Sequence, residues 1–472
     1  MKQFTFILAM LLSIGAFSQN VSWGENYKTE DNSSVYNYIG TIGETDYYSF
    51  GYKTTGFTRR FNRVGLMAVN KNNVTNYTEE YIDIPLFSLF DIVATDENIA
   101  IIYKEETNDT YEIRCILVDK TTLKEKSDKI LLSYKMAKKD SPSVSLFASK
   151  DKSKYVLTYF NSNKKEKENY LIINVFDKNL TKLYSTQYRT EADADVSILN
   201  IAVANNSDIY VLAKTVSKKE KERLLLSRIT EDERTEKEVG EDFDISDIEM
   251  HIINKDKVFI AINNGKGFKG ITYDMEQEEV TNTVNFEYVK EKEKLFWYVK
   301  DILELKNGNL IVVIQDSYKV IADGTSFAFF NRNFYALCVD VNQSSLVYSQ
   351  LVSKATGFYN HYDVGYGQFE TPFFFTKGND FYAIYNTDKD DNDLCGEAFI
   401  ETNIILTRKS KAIVANILKL SPNSAPILKN LFFQSEAKQT FSANLSLEKA
   451  NGEIIIGRRG DKNINFGTLN IK

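Results

Sequence analysis

Histidine is almost absent, with 2 in 472 residues, which excludes a metal centre built from several imidazoles. Proline is scarce too, at 5, so little interrupts long runs of extended chain. Tryptophan numbers 2 against 28 Tyr and 31 Phe, an aromatic balance that favours strands. Beyond Phe17 no apolar run is long enough to span a bilayer. No Gly-x-Ser-x-Gly elbow, His-Glu-x-x-His pair or Walker loop occurs, which removes the hydrolase, zinc-protease and NTPase classes that depend on them. A Ser-His-Asp hydrolase would need His251 or His361 as its base, and neither has supporting neighbours in the sequence. The first lies in a strand-like run and reads as a core residue. The second lies in an aromatic loop.

What is present describes a packed, exported chain. The apolar fraction is 43%, ordinary for a globular protein and too high for wholesale disorder. Lys2, the run from Phe4 to Phe17 and the small-x-small site Ala16-Phe17-Ser18 read as a signal peptide over residues 1–18. Residues 19–472 then form the mature chain, a single domain in the periplasm or outside the cell, with no membrane insertion after cleavage. A formal net charge of −7 argues against nucleic acid as a partner. Runs such as Lys164-Lys165-Glu166-Lys167-Glu168 read as solvated loops. The three cysteines cannot all pair in an exported chain. Cys115 and Cys338 sit in strand-like runs and read as small buried residues, while a bridge from Cys338 to Cys395 stays open as the alternative.

One pattern recurs along the chain: a short apolar strand, a polar turn and a second apolar strand. Its eight copies are NYIGTIGETDYYSFGY, DIVATDENIAIIYK, SLFASKDKSKYVLTYF, NIAVANNSDIYVLAK, EMHIINKDKVFIAI, DILELKNGNLIVVIQ, PFFFTKGNDFYAIY and NLSLEKANGEIIIG. Comparable positions are Asn37, Asp91, Ser145, Asn200, Glu249, Asp301, Pro372 and Asn444, spaced by 49 to 72 residues. A second hairpin follows each copy, as in IRCILVDKTTLKEKSDKIL. Four short strands per repeat, with Asn, Asp and Gly turns, predict an all-β propeller. Eight four-stranded blades are expected, with seven as the alternative count. The last copy holds three strands, and VSWGENYKTE reads as a lone fourth strand, so the N-terminal strand is expected to close the ring by pairing with the C-terminal blade. Tyr288 to Lys294 reads as one helical turn.

Repeated Trp-Asp dipeptides, Gly-Gly doublets and Ser-x-Asp-x-Gly-x-Thr-Trp boxes are missing. The segments WYVKDILELKNGNLIVVIQDSY, FYALCVDVNQSSLVYSQLVSK and FYAIYNTDKDDND, with Val21-Ser22-Trp23-Gly24 at the start, resemble a set of exported propeller-like proteins of the Bacteroidetes. The likeness is clearest over residues 297–393. Gln315 stands where that family has Glu, and Thr387 interrupts its Asn-Asp pair. The resemblance implies a secreted propeller from a Gram-negative host and carries no catalytic signature.

Candidate sites follow from the architecture. Asp91, Asn200, Glu249, Asp301 and Asn444 fall at similar points on innermost strands and line a central channel. They either converge to hold a cation or water cluster, or each satisfies its own neighbouring backbone. Asp388, Asp390 and Asn392, beside Asp391 and Asp393, alternate oxygen ligands as a Ca²⁺ loop does. They lack the Gly and Glu such a loop needs further on, so a solvated loop is the first reading and no cofactor is expected. The longest spacings come from loops at about residues 315–333, 354–371 and 387–411, which blade geometry gathers in one sector of one face. They carry Tyr318, Phe327, Phe329, Phe330, Arg332, Phe358, Tyr359, His361, Tyr362 and Tyr366. Aromatics with arginine suit recognition of a protein segment or a glycan, from the envelope or outside the cell, and they equally suit a small satellite core. A binding or scaffold module is the leading expectation. The alternative is a carbohydrate-active hydrolase or lyase using carboxylates at the channel mouth.

Overall fold

The computed structural model describes residues 19–29, 33–53, 61–78, 81–84, 88–106, 110–135, 143–163, 168–189, 195–216, 222–241, 243–288, 296–322, 326–330, 333–353, 356–360, 371–388, 405–406, 413–433, 437–460 and 462–471. The expected signal peptide and residues 289–294 lie outside them. The strands assort into eight antiparallel blades of four strands each. Blades 1 to 7 occupy residues 33–77, 89–135, 143–189, 195–241, 247–287, 296–353 and 373–433. Blade 8 takes three strands from residues 440–471 and its fourth from Gln19–Trp23 at the other end of the chain. The first strand of every blade touches the first strands of both neighbours, and the last touch returns from blade 8 to blade 1. The eight-bladed count therefore holds, and the ring is closed.

Hydrophobic burial explains both the ring and the strand pattern. Eight clusters of buried side chains sit one at each blade interface. The closing one joins Tyr48, Phe50, Met67 and Val69 of blade 1 to Leu445, Ile455 and Phe466 of blade 8. Second strands face a cluster on both sides, so they read as unbroken apolar runs; Ile311 to Ile314 are wholly buried. The outermost strand of blade 4, Arg234–Glu241, faces solvent and is largely polar. Polar side chains also stitch neighbouring blades: the hydroxyls of Tyr47, Tyr184 and Tyr210 donate to the carbonyls of Lys120, Ser207 and Lys255 in the next blade.

Cys115 and Cys338 are free and fully buried, the smaller-residue reading rather than a Cys338–Cys395 bridge. Burial pushes their thiols up to about 12 and about 11. Residues 265–270, Gly-Lys-Gly-Phe-Lys-Gly, match the spacing of a dinucleotide-binding turn. They run from the turn after strand Lys257–Asn263 into the start of strand Gly267–Asp274 of blade 5, so a strand and not a helix follows the turn.

Candidate functional site

Blade 6 carries the elaboration. Its second strand, Leu310–Ala322, pairs with the first strand of the blade up to Ser317 and with the third up to Gln315, and then leaves the blade. Tyr318–Ala322 pair with Ser326–Phe330, which pair in turn with Thr356–Asn360. Thr356 and Gly357 also pair, in parallel, with Ile405 and Leu406 from the blade 7 insertion. The three long segments thus join in one added sheet. In its register Tyr318 lies opposite Phe330, Phe329 opposite Phe358, and Ala328 opposite Tyr359, while Phe327 is opposite Ile321 and Asn360. Arg332, His361, Tyr362 and Tyr366 lie outside the described residues.

A buried polar staple roots this sheet. Asp316, where the strand leaves blade 6, accepts from the Asn333 backbone N–H at 2.9 Å and from its side-chain amide at 2.7 Å, where the chain returns. Both residues are buried. Beside them the Tyr298 hydroxyl donates to Gln315 Oε1 at 3.2 Å. Burial, with the charges of Asp316 and Asp247, pushes that phenol up to about 12. Gln315 is fully buried, and its Nε2 has no partner among the described residues.

The channel residues divide their work. β-bulges precede Asp91, Asn200 and Asp301, each on an innermost strand. Asp91 and Asp301 each accept from the N–H of the next residue, at 2.8 and 2.9 Å. Asn200 donates to Glu249 of blade 5 at 3.0 Å, and Asn444 donates to Asn37 of blade 1 at 2.9 Å, so these two clip blades together. Enclosure by the channel wall raises the carboxyl groups of Asp91, Glu249 and Asp301 above the usual range.

Two lysines absent from the sequence reading enter the same channel from the first turn of blade 3. Lys152 reaches the Ile39 carbonyl at 3.3 Å and lies 5.4 Å from the centre of the Tyr38 ring, both in blade 1. Lys150 meets Glu304 of blade 6 at 3.4 Å, three blades away. His251 of blade 5 places Nε2 3.9 Å from the same carboxylate. Lysine is common in exposed turns, so its sequence carried no signal of a contact across the ring.

His251 makes stability acid-sensitive. Burial, then the Lys150 charge, brings its imidazole from 6.5 down to about 4. The unfolded chain therefore binds more protons between those values, and stability is lost as pH falls through them. Urea unfolding of His251→Gln is expected to regain about 2 kcal/mol at pH 4.5 relative to its effect at pH 7.5. Equal effects at both pH values would contradict a buried neutral imidazole.

Asp388 ends the second strand of blade 7, Asp380–Asp388, and Asp390 and Asn392 lie outside the described residues. Among the described residues no three His, Cys, Asp or Glu side chains gather as metal ligands.

No protein-family sequence model matches the chain, and no curated protein matches it. Among solved structures it is similar to the Dos1 propeller, at 9% identity over 95% of each chain and a TM-score of 0.44. It is also similar to the WD40 domain of SCAP from fission yeast, at 9% identity over 96% of this chain and 98% of that one, TM-score 0.36. The polysaccharide lyase Uly1 aligns at 10% identity over 95% and 99%, TM-score 0.37. The chain's own strand order, eight four-stranded blades closed by strands from both ends, makes it a β-propeller.

Proposed function

We propose that this propeller is an exported binding or scaffold module that recognises a protein segment or glycan through the added sheet of blades 6 and 7. The observation that carries this reading is the joining of three separate insertions into one sheet, stapled to a rigid ring. A satellite core is the competing account of the same aromatics. The channel carboxylates lend more support to binding than to glycoside cleavage, because Asp91 and Asp301 each accept from the next backbone N–H and Glu249 is engaged by Asn200 of the neighbouring blade. In this reading residues 1–18 are a cleaved signal, residues 19–472 act in the periplasm or outside the cell, and the partner belongs to the envelope or the surroundings. The resemblance to exported Bacteroidetes propellers is part of the same proposal.

The test is a pull-down from envelope fractions beside a melting curve, mutant by mutant. Tyr359→Ala and Phe329→Ala are expected to lose about 1–4 kcal/mol of binding with little change in stability, with Arg332→Ala as the polar counterpart. Burial in a satellite core would instead make the aromatic truncations cost about 3–5 kcal/mol of folding stability. Mutants that melt early yet capture the same partners while folded would refute the proposal.

A further inference from the structure

We propose that the channel mouth opposite the added sheet binds a primary ammonium group of an external ligand, at the place now shared with Lys150. In a meandering blade the turn between strands one and two lies on the opposite face from the loop between strands two and three. The blade 3 turn that carries Lys150 therefore faces away from the insertions.

Three carboxylates lie within reach of this lysine's charge, and a fourth lies behind them. Glu304 is in contact at 3.4 Å. Asp301 and Glu448, from blades 6 and 8, both feel its charge. Glu249 feels that of Asp301. The acidic groups outnumber the nearby cations even when Lys300, beside Asp301, is included, so the mouth attracts positive charge. Asp301 gives one oxygen to the Ile302 N–H, and the other has no protein partner among the described residues.

A second, independent feature points the same way. The His251 side chain is only 10% exposed, and its Nε2, 3.9 Å from Glu304, has no hydrogen-bond partner among the described residues. Buried polar atoms are ordinarily satisfied, so an orphaned nitrogen beside unfilled carboxylate oxygens marks a place for a further group. In the tautomer that carries its proton on Nδ1 the imidazole Nε2 accepts, as carboxylate oxygens do, and an ammonium brings three donors and no acceptor. A divalent metal fits less well, because it needs ligands gathered within about 2.6 Å of one point, and no such cluster occurs among the described residues. Lys150 is 68% exposed and its pair with Glu304 is open to water, so the resident ammonium is weakly held and displaceable.

Spermidine is the probe, titrated calorimetrically into the full chain at fixed ionic strength. Saturable binding is expected, weakened at least tenfold by Glu304→Gln and by Asp301→Asn. Lys150→Met removes the competing cation and is expected to tighten binding about fivefold. Melting curves confirm that each variant is folded, and the exposure of Lys150 and Glu304 makes at least those two changes tolerable. Spermidine that acts no differently from sodium chloride, carboxylate variants that bind as well as the parent, or weakening by Lys150→Met would each overturn the proposal. Binding of calcium at equal concentration with displacement of spermidine would replace the ammonium site with a divalent one.

Discussion

Deletion of residues 19–29 is expected to open the ring and to cost on the order of 5 kcal/mol or more, with aggregation on heating. Gln19–Trp23 pair along Asn463–Ile471, from Gln19 opposite Ile471 to Trp23 opposite Gly467. Tyr27 and Lys28 pair further along the same strand, and the Gly24 and Thr29 N–H groups donate to Phe466 and Lys462. Without this segment, the strand Asn463–Ile471 would be an edge with unpaired backbone groups and apolar side chains. Packing adds to the ladder. The Arg458 guanidinium stacks 3.8 Å from the Trp23 ring centre, and Phe432 of blade 7 meets that ring edge-on at 5.6 Å. Gly467 admits the indole, since a Cβ there would lie 2.6 Å from Val21 Cγ1 and 2.7 Å from Trp23 Cε3. Trp23→Ala alone is expected to cost about 3 kcal/mol, and Gly467→Val to displace the strand. Melting temperature and light scattering read both effects. An unchanged melting point in the deletion would mean that the ring closes without this strand.

Blade architecture was legible because its causes are local. Second strands are packed on both faces, and in Ile209–Val216 the first five residues are accordingly all apolar and buried. Several turns after innermost strands take a left-handed residue, and Gly308 and Gly452 supply it at φ 84° and 77°. Repeated eight times along the chain, these two signals count the blades. Closure was legible for a related reason: three strands at one end and one at the other leave a single sensible pairing.

The sites were legible only where length alone decides. Excess residues in the repeats of blades 6 and 7 predicted that three insertions share a sector, and they do pair. Which segment pairs with which was hidden, because hairpin order within an insertion depends on tertiary contacts. The channel contacts were hidden more deeply. Lys150 and Glu304 are 154 residues apart and meet only because a ring brings blades 3 and 6 to one mouth. Asp316 and Asn333 fall at the two ends of the loop read at about residues 315–333, and nothing in the sequence pairs them.

Asp316→Ala is expected to cost about 3–5 kcal/mol, the largest effect of any single substitution considered for the added sheet. The carboxylate accepts two hydrogen bonds from Asn333 in a site closed to water, and both residues are buried. Hydrogen bonds to a charged group contribute about 1.5–3 kcal/mol each. Truncation also strands a backbone N–H and a side-chain amide without an acceptor, and neither can turn to solvent. Asp316→Asn keeps the shape and one acceptor but brings a second amide against the Asn333 amide, so an intermediate loss is expected. Because the staple sits where the chain leaves and re-enters blade 6, its loss acts first on the sheet it roots. Hydrogen exchange should accelerate over residues 318–322, 326–330 and 356–360 before the blade 2 and blade 3 cores respond. Partner capture should fall with it, even under conditions where the ring remains folded. Loss of less than 1 kcal/mol, or exchange that rises evenly through all eight blades, would show that Asp316 is not what fixes the sheet to the ring.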